Sequence, residues 1–153
     1  MRIYKNLIFL LLISACNPTN SELIVQRKSW EFDNWETDFK ERALCLCLLE
    51  GYENKEIKNY ILKNDKSYYS GIGIAIFDPT LEPIIRKEVD KIKQDSIDSI
   101  ERVPEHLVGK RIFGHCMEFY KSKRLDSIVK KEVPKWNEIK DIQAEVWKYI
   151  PTY

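Results

Sequence analysis

RIFGHCMEFYKSKRLDSIVKK, residues 111–131, is the stretch that decides the fold. Ile112, Cys116 and then Phe119 or Tyr120 recur at helical spacing, with Phe113 and Met117 beside them. Ser122 reads as an N-cap, because its hydroxyl can accept from the free amides of a new first turn. Leu125, Ile128 and Val129 form a second short apolar stripe, and Pro134 is expected to close it. The pattern therefore predicts a helix, a tight corner at residues 120–122, and a second helix. It also places a cysteine on the buried side of the first of these helices, which calls for a partner.

The partner lies in residues 35–52, WETDFKERALCLCLLEGY. Trp35, Phe39, Ala43 and Cys47 step by four along one face, Leu44 and Leu48 widen the stripe, and Gly51 suits a C-terminal turn. Cys45 and Cys47 are two apart, so on a helix they point about 200° away from each other and only one can meet Cys116. Cys47 shares its stripe with Phe39 and Ala43, whereas Cys45 neighbours Glu41 and Arg42. The expected bridge is Cys47–Cys116, with Cys45 left as a free thiol. Closing a loop of about 70 residues stabilises by ~3–5 kcal/mol in the chain-entropy picture. A metal site built from Cys45, Cys47, His115 and Cys116 is disfavoured. Adjacent His115 and Cys116 diverge on a helix, and the spacing matches no common zinc pattern.

Residues 54–63, NKEIKNYILK, read as a short helix with Ile57, Tyr60 and Ile61 inward. In SYYSGIGIAIFDP, residues 67–79, Gly71, Gly73 and Ala75 alternate with Ile72, Ile74 and Ile76, a period of two that fits a strand. The same small residues would let a neighbour approach a buried helix closely. No other stretch supplies a pairing strand, which favours the helix and leaves the strand as the alternative. No Lys-Ser or Lys-Thr follows, so the glycines make no phosphate loop. Asp78 and Pro79 are expected to restart the chain as a cap and a first helical residue, ahead of a face of Leu81, Ile84, Ile85, Val89 and Ile92. Residues 94–109, QDSIDSIERVPEHLVG, then read as a long connection; such connections are often functional, the plain alternative being a solvated acidic loop. Residues 136–150 are amphipathic through Trp136, Ile139, Ile142, Val146 and Trp147 and should pack back on the core. With 5 Gly and 6 Pro in 153 residues and 32% charged side chains, long helices are favoured over a β-sandwich. The fold expected is all-α: a bundle of about five to six helices stapled by one disulfide.

Residues 1–15 read as a signal peptide, with Arg2 and Lys5 ahead of LIFLLLI. Ile13-Ser14-Ala15-Cys16 has the branched, small, small, cysteine pattern of a lipoprotein box, which makes Cys16 the lipidation site. Several acyl chains anchor firmly. Residues 16–29 would follow as a tether reaching ~20 Å, and residues 30–153 as one helical domain. Asn17 is not the Asp that retains enteric lipoproteins at the inner membrane, which favours the inner leaflet of the outer membrane. Losing Arg2 and Lys5 from 25 basic side chains against 24 acidic ones leaves a net charge of −1. That balance excludes general attraction to nucleic acid, and membrane contact is expected through the anchor only. A cysteine hydrolase would need a thiolate beside a histidine. His115 and Cys116 diverge, and no nucleophile motif surrounds Cys45 or His106, so binding is favoured over catalysis, with no cofactor and no metal.

The motifs CLLEGY at residues 47–52, SGIGIA at residues 70–75, LEPIIRKEV at residues 81–89 and CMEFYKSKRLDSIVKK at residues 116–131 occur in that order. In this the chain resembles the type VI secretion system amidase immunity protein family. The most specific element is a cysteine helix running into Tyr120, Ser122, Leu125 and Asp126. The resemblance covers residues 35–133 and leaves out the lipoprotein box, Cys45, the length of the 94–109 connection and the C-terminal segment. It implies an all-helical periplasmic homodimer that binds and sterically blocks an injected peptidoglycan amidase, a papain-like cysteine hydrolase. By position, its inhibitory loop corresponds to residues 95–104, with Asp95, Ser96, Asp98, Ser99, Glu101 and Arg102 as effector-binding candidates. A mildly acidic tip there could pair with an active-site imidazolium. The competing reading is a periplasmic lipoprotein binding module with a groove lined by Trp and no link to toxin immunity.

Overall fold

A computed structural model describes residues 34–150, and every regular element among them is helical. Six α-helices follow in order: α1 (Trp35–Gly51), α2 (Lys55–Asn64), α3 (Asp78–Asp98), α4 (Ile112–Tyr120), α5 (Lys123–Glu138) and α6 (Ile142–Tyr149). The leader at residues 1–15, Cys16 and the tether at residues 16–29 lie outside the described residues. Among the described residues no helix is long and apolar enough to cross a membrane.

The expected bridge is present: Cys47 on α1 is bonded to Cys116 on α4, and both side chains are fully buried. Cys45 is a free thiol. Gly51 has a tighter task than ending a helix. A Cβ there would stand 2.6 Å from Ile112 Cγ2, so its absence lets the end of α1 approach the start of α4. Toward the other end of α1 Phe39 and Phe77 meet edge to face with centroids 5.2 Å apart, and Phe77 lies 5.6 Å from Trp136 on α5.

The corner at residues 120–122 forms as expected. Ser122 Oγ accepts from Leu125 N at 3.1 Å, and Leu125 is fully buried. Lys40 of α1 ties the corner down, bonding Asp126 Oδ1 at 2.8 Å and standing 5.3 Å from the centre of the Tyr120 ring. Tyr120, Ser122, Leu125 and Asp126 are therefore architectural: each fixes how α4 turns into α5 and how that corner sits on α1.

Residues 70–77 are helical, not a strand. Gly73–Phe77 forms one π turn, whose bond from Asp78 N to Gly73 O spans five residues, and it runs directly into α3. Asp78 does not restart the chain, because the backbone on either side is already helical. Its carboxylate instead takes a bidentate pair from Arg42, Nε at 2.8 Å and Nη2 at 2.6 Å, while Arg42 Nη1 donates to Tyr68 O. The wide turn suits a sequence that must carry Pro79, since widening relieves the clash of the proline ring with the carbonyl four residues back. Gly73 leaves room for the Arg42 stem, 2.9–3.0 Å from where its Cβ would be, and Gly71 lies against Val146 of α6. The C-terminal helix thus packs on the small-residue face.

Other boundaries differ from the sequence reading. α5 runs through Pro134 to Glu138, and the break falls at residues 139–141, where Asp141 caps α6 by accepting from Ala144 N. Pro134 is on the exposed face, so the carbonyl it leaves unbonded can be solvated, while Trp136 two residues later is buried in the core. Residues 136–150 are thus two helices' worth of chain, not one. α2 forms, capped by Asn54 and tied to α1 by Lys58 and Glu50 at 2.6 Å, but none of its residues is buried, so Ile57, Tyr60 and Ile61 do not enter the core. Periodicity identifies an apolar face; it does not supply an element to cover it.

Candidate functional site

The largest departure concerns the long connection. α3 continues to Asp98, because no glycine or proline interrupts residues 84–103 and Ile92 keeps its face on the core. Asp95, Ser96 and Asp98 therefore sit on the last turns of a helix, and only Ser99, Glu101 and Arg102 belong to the connection proper, residues 99–111. The connection leaves through two turns. Ser99 Oγ donates to Ser96 O, Arg102 N and Val103 N both reach Ser99 O, and Glu101 takes a left-handed φ of 70°. Pro104 leads into a 3-10 turn, Glu105–Leu107, and Gly109 at φ 154° occupies a conformation that side-chain-bearing residues rarely adopt.

Both ends of this segment are braced. At its exit Lys110 pairs with Glu53, which also holds Lys93 at 2.5 Å. Those two hydrogen bonds, Lys110's first, hold the Glu53 carboxyl below the usual carboxylate range, and the same contact raises Lys93. Ahead of its entrance, midway along α3, stands a buried carboxylate that the sequence reading missed. Glu88, 2% exposed, receives Arg124 of α5, Lys91 Nζ at 3.0 Å and His115 Nε2 of α4 at 2.9 Å. His115 Nδ1 then faces Asp95 Oδ2 at 3.9 Å. Arg124, Glu88 and His115 thus tie the middle of α3 to α4 and α5, with Asp95 close to His115 one helical stretch further on. The sequence did hold a signal for it: Glu88 falls on the apolar stripe of Leu81, Ile85, Val89 and Ile92, where a carboxylate must find partners.

Between the connection and these helices lies a cleft of about 310 Å³. It gathers three of the six expected residues, Asp95, Ser99 and Arg102, with Ile92, Val103, Leu107, Gly109, Arg111, His115 and Glu118. Ser96, Asp98 and Glu101 do not line it. Asp98 accepts from Gln94 at 2.7 Å and from its backbone carbonyl binds Arg102 Nε. Asp98 is thus engaged within the chain, and the cleft carries two arginines: Arg102, one of the six candidates, and Arg111, which the sequence reading did not include. Around it Ile97, Ile100, Leu107 and Phe113 are each more than half exposed. A second cleft, of about 470 Å³, lies between α1 and α3, and its charges are mutually paired: Glu50 with Lys58, Glu53 with Lys93, Arg86 with Glu82. Neither cleft is lined by Trp.

Away from the site, burial raises the Cys45 thiol above the ordinary range, with Arg42 opposing and Glu41 and Asp65 adding to the shift. It is therefore protonated at neutral pH. Comparison with protein-family models, curated proteins and solved structures gives no match.

Proposed function

We propose that the protein is an immunity protein that binds and sterically inhibits a type VI secreted peptidoglycan amidase, protecting the producing cell and its kin. The observation that carries the reading is the 99–111 connection: an exposed apolar segment on a charged cleft, held by turn hydrogen bonds where it begins and by the Lys110–Glu53 pair where it ends. Ile100 and Leu107, exposed on this segment, and Ile97 just before it are what a partner covers, and bracing lowers the ordering cost of binding. The motif residues Tyr120, Ser122, Leu125 and Asp126 support it, since they set the corner on which α4 presents the cleft. In this reading Cys16 carries the lipid, the protein faces the periplasm from the outer membrane, and it acts as a homodimer.

The test follows release of stem-peptide fragments from peptidoglycan by the papain-like amidase encoded alongside, with and without a stoichiometric amount of the chain from residue 21 onward. Complete block and co-elution on a sizing column are expected. Unimpeded hydrolysis with no complex would sink the proposal and leave the lipoprotein binding module.

A further inference from the structure

Five arginines lie among the described residues, and their partners divide them. Arg42 lies bidentate on Asp78, Arg86 faces Glu82 at 3.6 Å, and Arg124 holds Glu88. Arg102 and Arg111 have no carboxylate partner among the described residues, and both line the same cleft. A guanidinium presents its N–H donors in a fixed planar fork that matches a carboxylate through two parallel bonds. Arg102 commits its Nε to the Asp98 carbonyl, which orients the group and leaves its two terminal nitrogens free of protein acceptors.

The cleft is polarised by element. Both guanidiniums belong to the connection, beside Val103 and Leu107, while Asp95, His115 and Glu118 come from α3 and α4. The cleft's two carboxylates are Asp95, which faces His115 at 3.9 Å, and Glu118, and neither is paired with an arginine, so both guanidiniums stand in the cleft without a carboxylate partner. At about 310 Å³ the space suits one side chain with its neighbour, not a folded element. The α1–α3 cleft, though larger, holds one arginine, Arg86, and that one faces Glu82.

We propose that this cleft receives an acidic side chain from the partner protein, its carboxylate clamped between Arg102 and Arg111 and an apolar neighbour seated on Val103 and Leu107. The inference rests on the connection being the partner-binding element proposed above. It makes the contact one in which this chain supplies the cations, the reverse of an acidic tip approaching a partner's imidazolium.

Two blocked tripeptides, acetyl-Leu-Glu-Leu-amide and its Leu-Gln-Leu analogue, test it by titration into the isotope-labelled protein with the arginine Nε–H signals observed. The glutamate peptide should shift Arg102 and Arg111 saturably and bind at least tenfold tighter than the glutamine peptide. Arg102→Gln with Arg111→Gln should abolish the difference while leaving the thermal melt unchanged, as both side chains are exposed and hold no carboxylate. Equal response to the two peptides, or discrimination that survives in the double variant, overturns the clamp. The amidase supplies the second arm: the double variant should bind it at least tenfold more weakly. If the amidase binds both forms equally, the clamp fails and the immunity reading stands. If it binds neither form while the peptides are still discriminated, the immunity reading fails and the clamp stands.

Discussion

Reduction of Cys47–Cys116 should cost this fold a large part of its stability, and the size of the loss follows from the topology. The bridged residues are 69 apart in sequence, so the cross-link removes loop-closure entropy worth about 4 kcal/mol in the chain-entropy model. With an unfolding entropy of about 2.1 cal/mol/K per residue over residues 34–150, that corresponds to roughly 16 °C in Tm. The cleanest comparison is the wild-type chain unfolded and refolded in a phosphine reductant against the oxidised form. Both sulfurs are then retained in the core, and only the covalent link is lost. Urea unfolding followed by circular dichroism gives the two free energies, and Cys45→Ser should change both by the same amount, no more than about 1 kcal/mol, because Cys45 is only partly buried and takes no part in the bridge. The consequence reaches the site, because His115 precedes Cys116 and α4 carries one wall of the cleft. A difference of less than about 1 kcal/mol between reduced and oxidised protein would refute the reasoning: it would mean that packing at the α1–α4 junction holds the unfolded chain's loop closed without the bond.

Arg124→Ala should cost about 2–3 kcal/mol by leaving Glu88 buried with fewer partners, whereas the double change Glu88→Leu with Arg124→Met should cost less than about 1 kcal/mol; denaturant midpoints decide. Gly51→Ala should destabilise by about 1–3 kcal/mol despite the better helix propensity of Ala, because the new methyl meets Ile112; a raised Tm would show that α1 and α4 can separate at no cost. Glu53 is held below its ordinary range, so what it adds to the brace is present above the usual glutamate value of about 4.3 and is lost as pH falls through the lower folded value. Amide exchange at residues 108–111 should therefore accelerate in acid, and Glu53→Gln should produce the same acceleration at pH 7. Ser122→Ala should cost about 1 kcal/mol through the lost cap on Leu125 N, read as a shift in the urea midpoint.

Repeating apolar spacing and local capping chemistry determined a good deal by themselves. The stripe of Phe39, Ala43 and Cys47 sufficed to identify α1 and to choose Cys47 over Cys45, because two cysteines two apart on a helix cannot share a face. Ser122 alone located the corner, since a hydroxyl beside free amides acts over three residues. What tertiary structure decided was every question whose answer lies far along the chain. Glu88 is tolerable in the core only because His115 and Arg124, 27 and 36 residues away, converge on it. α5 passes Pro134 because that residue faces solvent, and α2 keeps an apolar face that nothing in the described chain buries. The candidate loop shortened for the same reason. Asp95, Ser96 and Asp98 are helical because Ile92 and the Glu88 cluster keep α3 on α4, and the cleft with its two arginines exists only once that contact has formed.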